Sequence, residues 1–170
     1  YTARWASKFV KGGCTGTGGA ELFGGSPCRY FRGMASRNFD AFADGYYLCW
    51  QRLIPTRLLA YAFAHLAGKT TADPKEIVRG VFKNHENPLK TPEDYINHSL
   101  YFEAKTFLPG MLMIEDKLTM AHGLESRVPM LDNDLVDFAQ RLPVKYKLSD
   151  LAENLERVKN DPNIGKESDD

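Results

Sequence analysis

The sequence predicts a mainly α-helical domain with one or two short strands. Apolar and aromatic residues recur at helical spacing, most clearly over residues 39–53. Clear helix-start signals occur further along, as in Asp73-Pro-Lys-Glu76. A single glycine-rich turn, residues 15–20, follows a short extended stretch. These three observations favour one helical domain with a strand-to-helix turn near its N-terminus.

The elements of the first half follow from turn and breaker residues. Residues 2–10 are predicted to be the end of a helix that leads into an extended stretch at 10–15. After the glycine-rich turn, Glu21 opens a helix. The helix that contains the apolar run ends at Pro55, which can itself begin the next helix, and Gly68 stops that one.

Capping residues define the helices of the second half. Asp73 is an N-cap with Pro at the first helical position, and Glu76 is placed to reach back. Residues 91–94 repeat this pattern for a long helix. Pro109-Gly110 is predicted to interrupt that helix, and a second apolar helix continues until Gly123 stops it.

The C-terminal part is predicted to be less regular. Asp132 caps a helix that Pro143 closes. Beyond Leu148, residues 149–170 hold one weakly amphipathic segment and an acidic end, and they are predicted to be a weakly helical to disordered tail. We therefore divide the chain into a domain at 1–148 and a tail at 149–170.

Composition excludes several classes of protein. The 170 residues are 43% hydrophobic and 26% charged with a net charge of zero, so the basic surplus of a nucleic-acid binder is missing. No apolar run approaches the ~20 residues of a membrane span, and we expect no membrane association. Cys14, Cys28 and Cys49 are odd in number and lack close pairing, which argues against disulfides and zinc and favours the cytoplasm.

The glycine-rich turn is the first candidate site. Glycines without Cβ atoms let backbone N–H groups converge on an anion. The turn matches neither of two common phosphate-binding motifs. A dinucleotide fingerprint starting at Gly16 would need a third glycine where Glu21 stands, and a Walker A motif starting at Gly19 would need Lys where Gly25 stands. The alternative is a tight strand-to-helix turn that binds no ligand.

The second candidate is the segment 115–132. Two acids, a lysine and His122 precede Glu125 and Arg127 around a predicted helix end. The alternative is a structural helix terminus, in which His122 caps carbonyl groups and Glu125 forms an ion pair with Arg127.

Taken together and in this order, the two segments resemble one family. Residues 15–25, Thr-Gly-Thr-Gly-Gly-Ala-Glu-Leu-Phe-Gly-Gly, resemble the Ser-Gly-x-Gly-Gly-Asp-Glu-Leu-Phe-Gly-Gly segment of the asparagine synthetase family. Residues 120–132, Met-Ala-His-Gly-Leu-Glu-Ser-Arg-Val-Pro-Met-Leu-Asp, resemble that family's Met-Ala-His-Gly-Leu-Glu-x-Arg-Val-Pro-Phe-Leu-Asp segment. The resemblance extends from about residue 1 to residue 148.

The resemblance implies an α/β fold and a ligase reaction. In that family the pyrophosphate-loop synthetase domain has an adenine-nucleotide α-hydrolase-like fold with a parallel sheet. ATP and Mg²⁺ activate a carboxylate, such as that of aspartate, as an acyl adenylate, and ammonia then displaces AMP. A separate glutaminase domain supplies the ammonia.

The resemblance also implies roles for individual residues. It assigns ATP and pyrophosphate binding to four positions of the glycine-rich turn, namely Thr15, Gly16, Gly18 and Gly19. Thr17 occupies a position that influences adenylate formation, and with Glu125 and Arg127 it forms our catalytic set.

Departures from the family pattern set limits on what this chain can do. Ala20 stands where the family has an Asp that helps to hold magnesium, so we assign no metal ligand. The 170 residues contain neither a Ser-Gly-Gly-x-Asp-Ser loop nor a Lys-x-x-Leu-Arg segment. We expect a fragment of a synthetase domain that is inactive alone. The alternative is a catalytically inactive helical remnant that serves as a binding or structural module.

Overall fold

The computed structural model describes residues 1–51, 54, 56–64, 73–85 and 89–160. The predictions made at Leu53, Pro55 and Gly68, and those for residues 161–170, lie outside the described residues. The described chain is mainly helical with two short strands, as the sequence predicts. None of its described helices is long and apolar enough to cross a membrane.

The chain divides into two compact units. Unit 1 comprises residues 1–27 and 100–149, and unit 2 comprises residues 28–99 and 150–170. Each is described by itself.

Unit 1 is built on a two-stranded parallel sheet. Strand β1, Gly12–Cys14, pairs with β2, Glu125–Arg127, so that Gly12, Gly13 and Cys14 lie opposite Glu125, Ser126 and Arg127. The remaining elements are helical: α1 Thr2–Ala6, α2 Gly19–Phe23, a π-helical turn Glu103–Phe107, α8 Leu108–Met120, a 3₁₀ turn Pro129–Leu131, α9 Asn133–Arg141 and a 3₁₀ turn Val144–Tyr146.

The secondary-structure elements of the described part of unit 2 are all helices. Its helices are α3 Pro27–Met34, α4 Phe39–Trp50, α5 Thr56–Ala62, α6 Pro74–Val81, α7 Pro92–Phe102 and α10 Leu151–Asn160, and the boundary with unit 1 falls in the last turn of α7.

Aromatic packing forms the core of unit 2. The ring of Phe42 has no exposed surface and stacks on Tyr46 at a centroid distance of 5.4 Å. It also meets the rings of Phe82 and Tyr95, each at 5.7 Å. Buried aromatic contacts of this geometry contribute about 0.5–1.5 kcal/mol each beyond the area they bury.

The predicted helix starts are confirmed in the described residues. The Asp73 carboxylate accepts a hydrogen bond from the Lys75 amide at 2.9 Å. Glu76 does not reach back to this cap but contacts Arg79 at 2.6 Å. At the start of α7 the Asp94 amide donates to the Thr91 hydroxyl at 3.3 Å, and the Asp94 carboxylate reaches back to accept from the Thr91 and Lys90 amides, the reciprocal bonds of a capping box.

The prediction that Pro109-Gly110 interrupts the long helix is wrong. The chain stays helical from α7 into α8, and the irregularity is the π-helical turn just before Pro109, where the Leu108 amide bonds to the Glu103 carbonyl. Proline lacks the N–H that would bond one turn back, and its ring crowds that turn. The wider turn accommodates both effects without ending the helix.

Candidate functional site

The glycine-rich turn is a tight strand-to-helix connection, and this prediction is confirmed. Strand β1 ends at Cys14 and α2 begins at Gly19. Gly18 precedes α2 with a φ of 96°, which L side chains rarely adopt. A Cβ at Gly18 would lie 2.7 Å from Cγ of Leu131, so both backbone conformation and space require glycine there.

Hydrogen bonds hold the two ends of this loop. The Thr15 amide donates to the Arg127 carbonyl at 2.9 Å, which extends the sheet by one bond. The Gly19 amide donates to the Gly16 carbonyl at 3.1 Å and closes the turn. Gly16 is exposed, and a Cβ built on it would meet nothing within 4 Å. The loop therefore presents backbone to open space at Gly16.

The end of α8 determines which side chain reaches this loop. Gly123, with a φ of 64°, ends the helix as predicted. The Leu124 amide bonds back to the Thr119 carbonyl and the Gly123 amide to that of Met120, the paired bonds of a Schellman motif. This reversal leads directly into β2 and brings Ser126 beside Glu115.

Glu115 joins the loop, α8 and β2. The Thr17 hydroxyl donates to Oε2 of Glu115 at 2.5 Å, and the Ser126 hydroxyl donates to Oε1. The Thr15 hydroxyl donates to Oγ1 of Thr17 at 3.3 Å. Both carboxylate oxygens thus accept hydrogen bonds from separate segments of the chain.

These donors stabilise the ionised carboxylate. The hydrogen bonds from Ser126 and Thr17 lower the pKa of Glu115 below its usual value of 4.5, with a smaller contribution from Thr15, while partial burial opposes them. Glu115 is therefore an anion at neutral pH.

A cavity of about 480 Å³ lies next to this network in unit 1. Thr15, Glu115 and Ser126 are among its polar residues, together with Thr119 and His122, and Leu118 and Leu124 are among its apolar residues. Its size and its mixture of apolar wall and a few polar groups are typical of small-ligand sites.

Glu125 and Arg127 do not join Thr17. Their side chains form an ion pair at 2.8 Å and are both exposed. They flank Ser126 in β2, and because side chains alternate along a strand they lie on the face opposite Ser126. The structure therefore separates the predicted catalytic set into Thr17 beside Glu115 and a surface pair, which is the ion pair that the structural alternative predicted.

Glu115 and Ser126 were absent from the sequence-based site. Glu115 lies in the charged segment that drew attention, but nothing in its spacing connects it to Thr17, which is 98 positions away. Ser126 occupies the variable position of the matched motif, where the resemblance gives no expectation.

The described residues do not fit a magnesium site. Within the described residues no group of three or more His, Cys, Asp or Glu side chains could hold a metal ion. Ala20 is exposed at the start of α2 and offers a methyl group. Both oxygens of Glu115 already accept hydrogen bonds.

Comparisons with known proteins agree with the motifs. The sequence profile of the asparagine synthase family matches residues 1–165. A Bacillus subtilis protein, asparagine synthetase [glutamine-hydrolyzing] 1, is 27% identical over 86% of this chain and 27% of its own length. A provisionally named asparagine synthetase 1 of Methanocaldococcus jannaschii is 42% identical over 43% of this chain and 14% of its own length.

These matches cover a limited part of each relative. The chain spans about a quarter or less of the length of the curated relatives that it matches. No solved structure matches it. The family profile nevertheless covers nearly all of the sequence, and the chain therefore belongs to the asparagine synthase family.

Proposed function

We propose that this chain is part of the synthetase domain of an ATP-dependent, asparagine-synthetase-like amidotransferase. The complete reaction adenylates a carboxylate, that of aspartate or a similar acid, and transfers ammonia derived from glutamine to give an amide. The domain has the adenine-nucleotide α-hydrolase-like fold. Family membership supports the reaction class, and the glycine loop between β1 and α2 supports nucleotide binding.

The open backbone at Gly16 is the observation on which the nucleotide site depends. Phosphate oxygens approach a backbone closely only where no Cβ intervenes. Among the hydrogen bonds of the described residues, none uses the amide of Gly16, Thr17 or Gly18 as donor. In the proposed site these amides face the phosphates, with Thr15 and Gly19 at the two ends of the loop.

The remaining residues have narrower proposed roles. Thr17 places its backbone amide towards the reacting phosphate from the middle of the loop, because its hydroxyl donates to Glu115 and holds the residue in position. Glu125 and Arg127 act from the exposed face of β2, where they can meet a charged substrate or another part of the enzyme. We derive no step through Mg²⁺, since the described residues do not fit it.

An ATP titration tests the proposal. Gly16→Ala places a methyl group in open space without requiring a left-handed backbone, so the fold should tolerate it while phosphate approach is blocked. We expect ATP to displace a fluorescent nucleotide analogue from the wild-type chain at millimolar concentration, and Gly16→Ala to weaken this at least about tenfold.

Gly110→Ala is the matched control, because a Cβ at Gly110 also meets nothing within 4 Å but lies on the exposed side of α8. Equal weakening by both variants, or no ATP binding by the wild type, would contradict the proposal. We expect no asparagine and no AMP from the isolated chain with ATP, aspartate and ammonia, since Ala20 cannot ligate a cation.

The second candidate is a non-catalytic binding or structural module. Ala20 and the lack of an acidic metal cluster within the described residues favour it. A chain that folds cooperatively but binds no ATP would support this alternative.

A further inference from the structure

We propose that Glu115 is a positioning residue, whose carboxylate ties the glycine loop to β2 and so sets the loop conformation for phosphate binding. The link to phosphate rests on the proposed function. The tie itself rests on the hydrogen bonds alone.

The loop needs this tie at its centre. Backbone hydrogen bonds fix its two ends, from the Thr15 amide to β2 and from the Gly19 amide to Gly16. Within the described residues, the middle residue Thr17 is held through its side chain, by the hydrogen bond to Glu115 and the weaker one from Thr15. Within the described residues, losing the Glu115 bond would leave Thr17 with no hydrogen bond to an element outside the loop.

The tie spans three separate elements. Thr17 lies in the loop, Glu115 lies in α8, and Ser126 lies in β2. Each hydroxyl meets its own carboxylate oxygen, so the carboxylate bridges loop and strand. Because α8 is a regular helix and β2 is paired with β1, two of the three anchors are rigid, and the loop is the segment that the bridge restrains.

Charge makes a carboxylate suited to this position. Its oxygens accept hydrogen bonds and cannot donate, which matches two hydroxyl donors, one on each carboxylate oxygen. A Gln side chain has the same length but carries an NH₂ group at one end, so one hydroxyl would have to turn and accept. Glu115→Gln therefore perturbs the bridge with little change in volume.

The conformation of the loop can be measured directly. We would compare, by ¹⁵N NMR of the full chain, the amide resonances of Gly16, Gly18 and Gly19 and the hydrogen-exchange rate of the Gly19 amide, which donates to the Gly16 carbonyl. Glu115→Gln and Thr17→Val should shift the same resonances and speed exchange of the Gly19 amide several-fold, because each perturbs the same hydrogen bond from one of its two ends. Thr17→Ser keeps the hydroxyl and should restore the wild-type spectrum of the loop.

Two further variants test whether the effect is specific to the hydrogen bond between Glu115 and Thr17. Asp116→Asn removes a neighbouring exposed charge from the same helix and should leave the loop resonances unchanged. Ser126→Ala removes the donor to the other carboxylate oxygen and should shift the loop less than Thr17→Val does. If Glu115→Gln moves the loop glycines no more than Asp116→Asn does, the proposal is wrong.

ATP affinity separates this inference from the proposed function. We expect Glu115→Gln and Thr17→Val each to weaken ATP binding at least fivefold, and the double variant to be no weaker than either single variant. ATP binding that Glu115→Gln leaves unchanged would overturn the positioning role while the proposed function stands. If the wild type binds no ATP but the loop still moves in Glu115→Gln, the tie stands and the proposed function fails.

Discussion

Phe42 in unit 2 has no exposed surface, whereas Phe9 in unit 1 keeps 77% of its surface exposed. The contrast extends to the described part of each unit. Unit 2 has four exposed large hydrophobic residues: Leu58, Tyr61, Phe63 and Ile77. Unit 1 has ten: Tyr1, Trp5, Phe9, Val10, Met113, Ile114, Leu118, Met120, Phe138 and Tyr146.

The two units are therefore stabilised in different ways. Unit 2 relies on a buried aromatic cluster. Unit 1 relies on specific backbone geometry: a short parallel sheet, glycines with positive φ, and the hydrogen bonds of Glu115. The candidate site lies in unit 1, which depends more on specific backbone conformations and hydrogen bonds and less on a buried core. This is expected, because loops held by a scaffold commonly carry function.

The largest expected effect is on the core of unit 2. Phe42→Ala removes a fully buried ring and should lower the free energy of unfolding of unit 2 by about 3–5 kcal/mol. Phe9→Ala in unit 1 makes the same chemical change at an exposed position and should cost less than about 0.5 kcal/mol. Urea denaturation of both variants measures the difference. Similar losses for the two would remove the contrast between the units.

A smaller effect is expected from backbone geometry in unit 1. Gly18→Ala forces a side chain onto a φ of 96° and against Leu131, and it should destabilise unit 1 by at least about 1–2 kcal/mol. Gly110→Ala, in α8 with open space around it, should instead stabilise by about 0.5–1 kcal/mol. Hydrogen-exchange rates of the α8 and β2 amides would measure both changes in stability. Gly18→Ala should speed exchange and Gly110→Ala should slow it, and changes in the same direction would contradict this prediction.

The smallest effect concerns the cap of α7 in unit 2. Asp94→Ala removes the acceptor for the Lys90 and Thr91 amides and should cost about 1 kcal/mol at neutral pH. Burial acts to raise the pKa of Asp94, but those amides and the Thr91 hydroxyl outweigh it and lower the pKa below 3.8.

The lowered pKa fixes the pH window of this contribution. The wild-type stabilisation is fully present above the unfolded value of 3.8 and is lost as pH falls through the lower folded value. The difference between Asp94→Ala and wild type, followed by thermal unfolding, should therefore shrink below about pH 4. A difference that grows towards acid pH would contradict the proposed cap.

Much of this structure is predictable from local sequence signals. Asp73, Asp94 and Asp132 mark helix starts because their carboxylates accept hydrogen bonds from amides two to four residues away. Gly123 ends α8 and Gly18 precedes α2 because their backbones need positive φ. Each of these interactions joins residues that are close in the sequence, so a short sequence pattern is enough to predict it.

The sequence by itself thus determined the order of the helices, their caps and the glycine loop between a strand and a helix. It also contained the family motifs at residues 15–25 and 120–132. Tertiary structure decided that Glu115, 98 positions from Thr17, meets that loop, and that Glu125 and Arg127 face away from Ser126. It also decided that Pro109 is accommodated by a π-helical turn. The physical reason is range: caps and turns are bonds between near neighbours, whereas the pairing of β1 with β2 and the position of α8 depend on segments that only folding brings together.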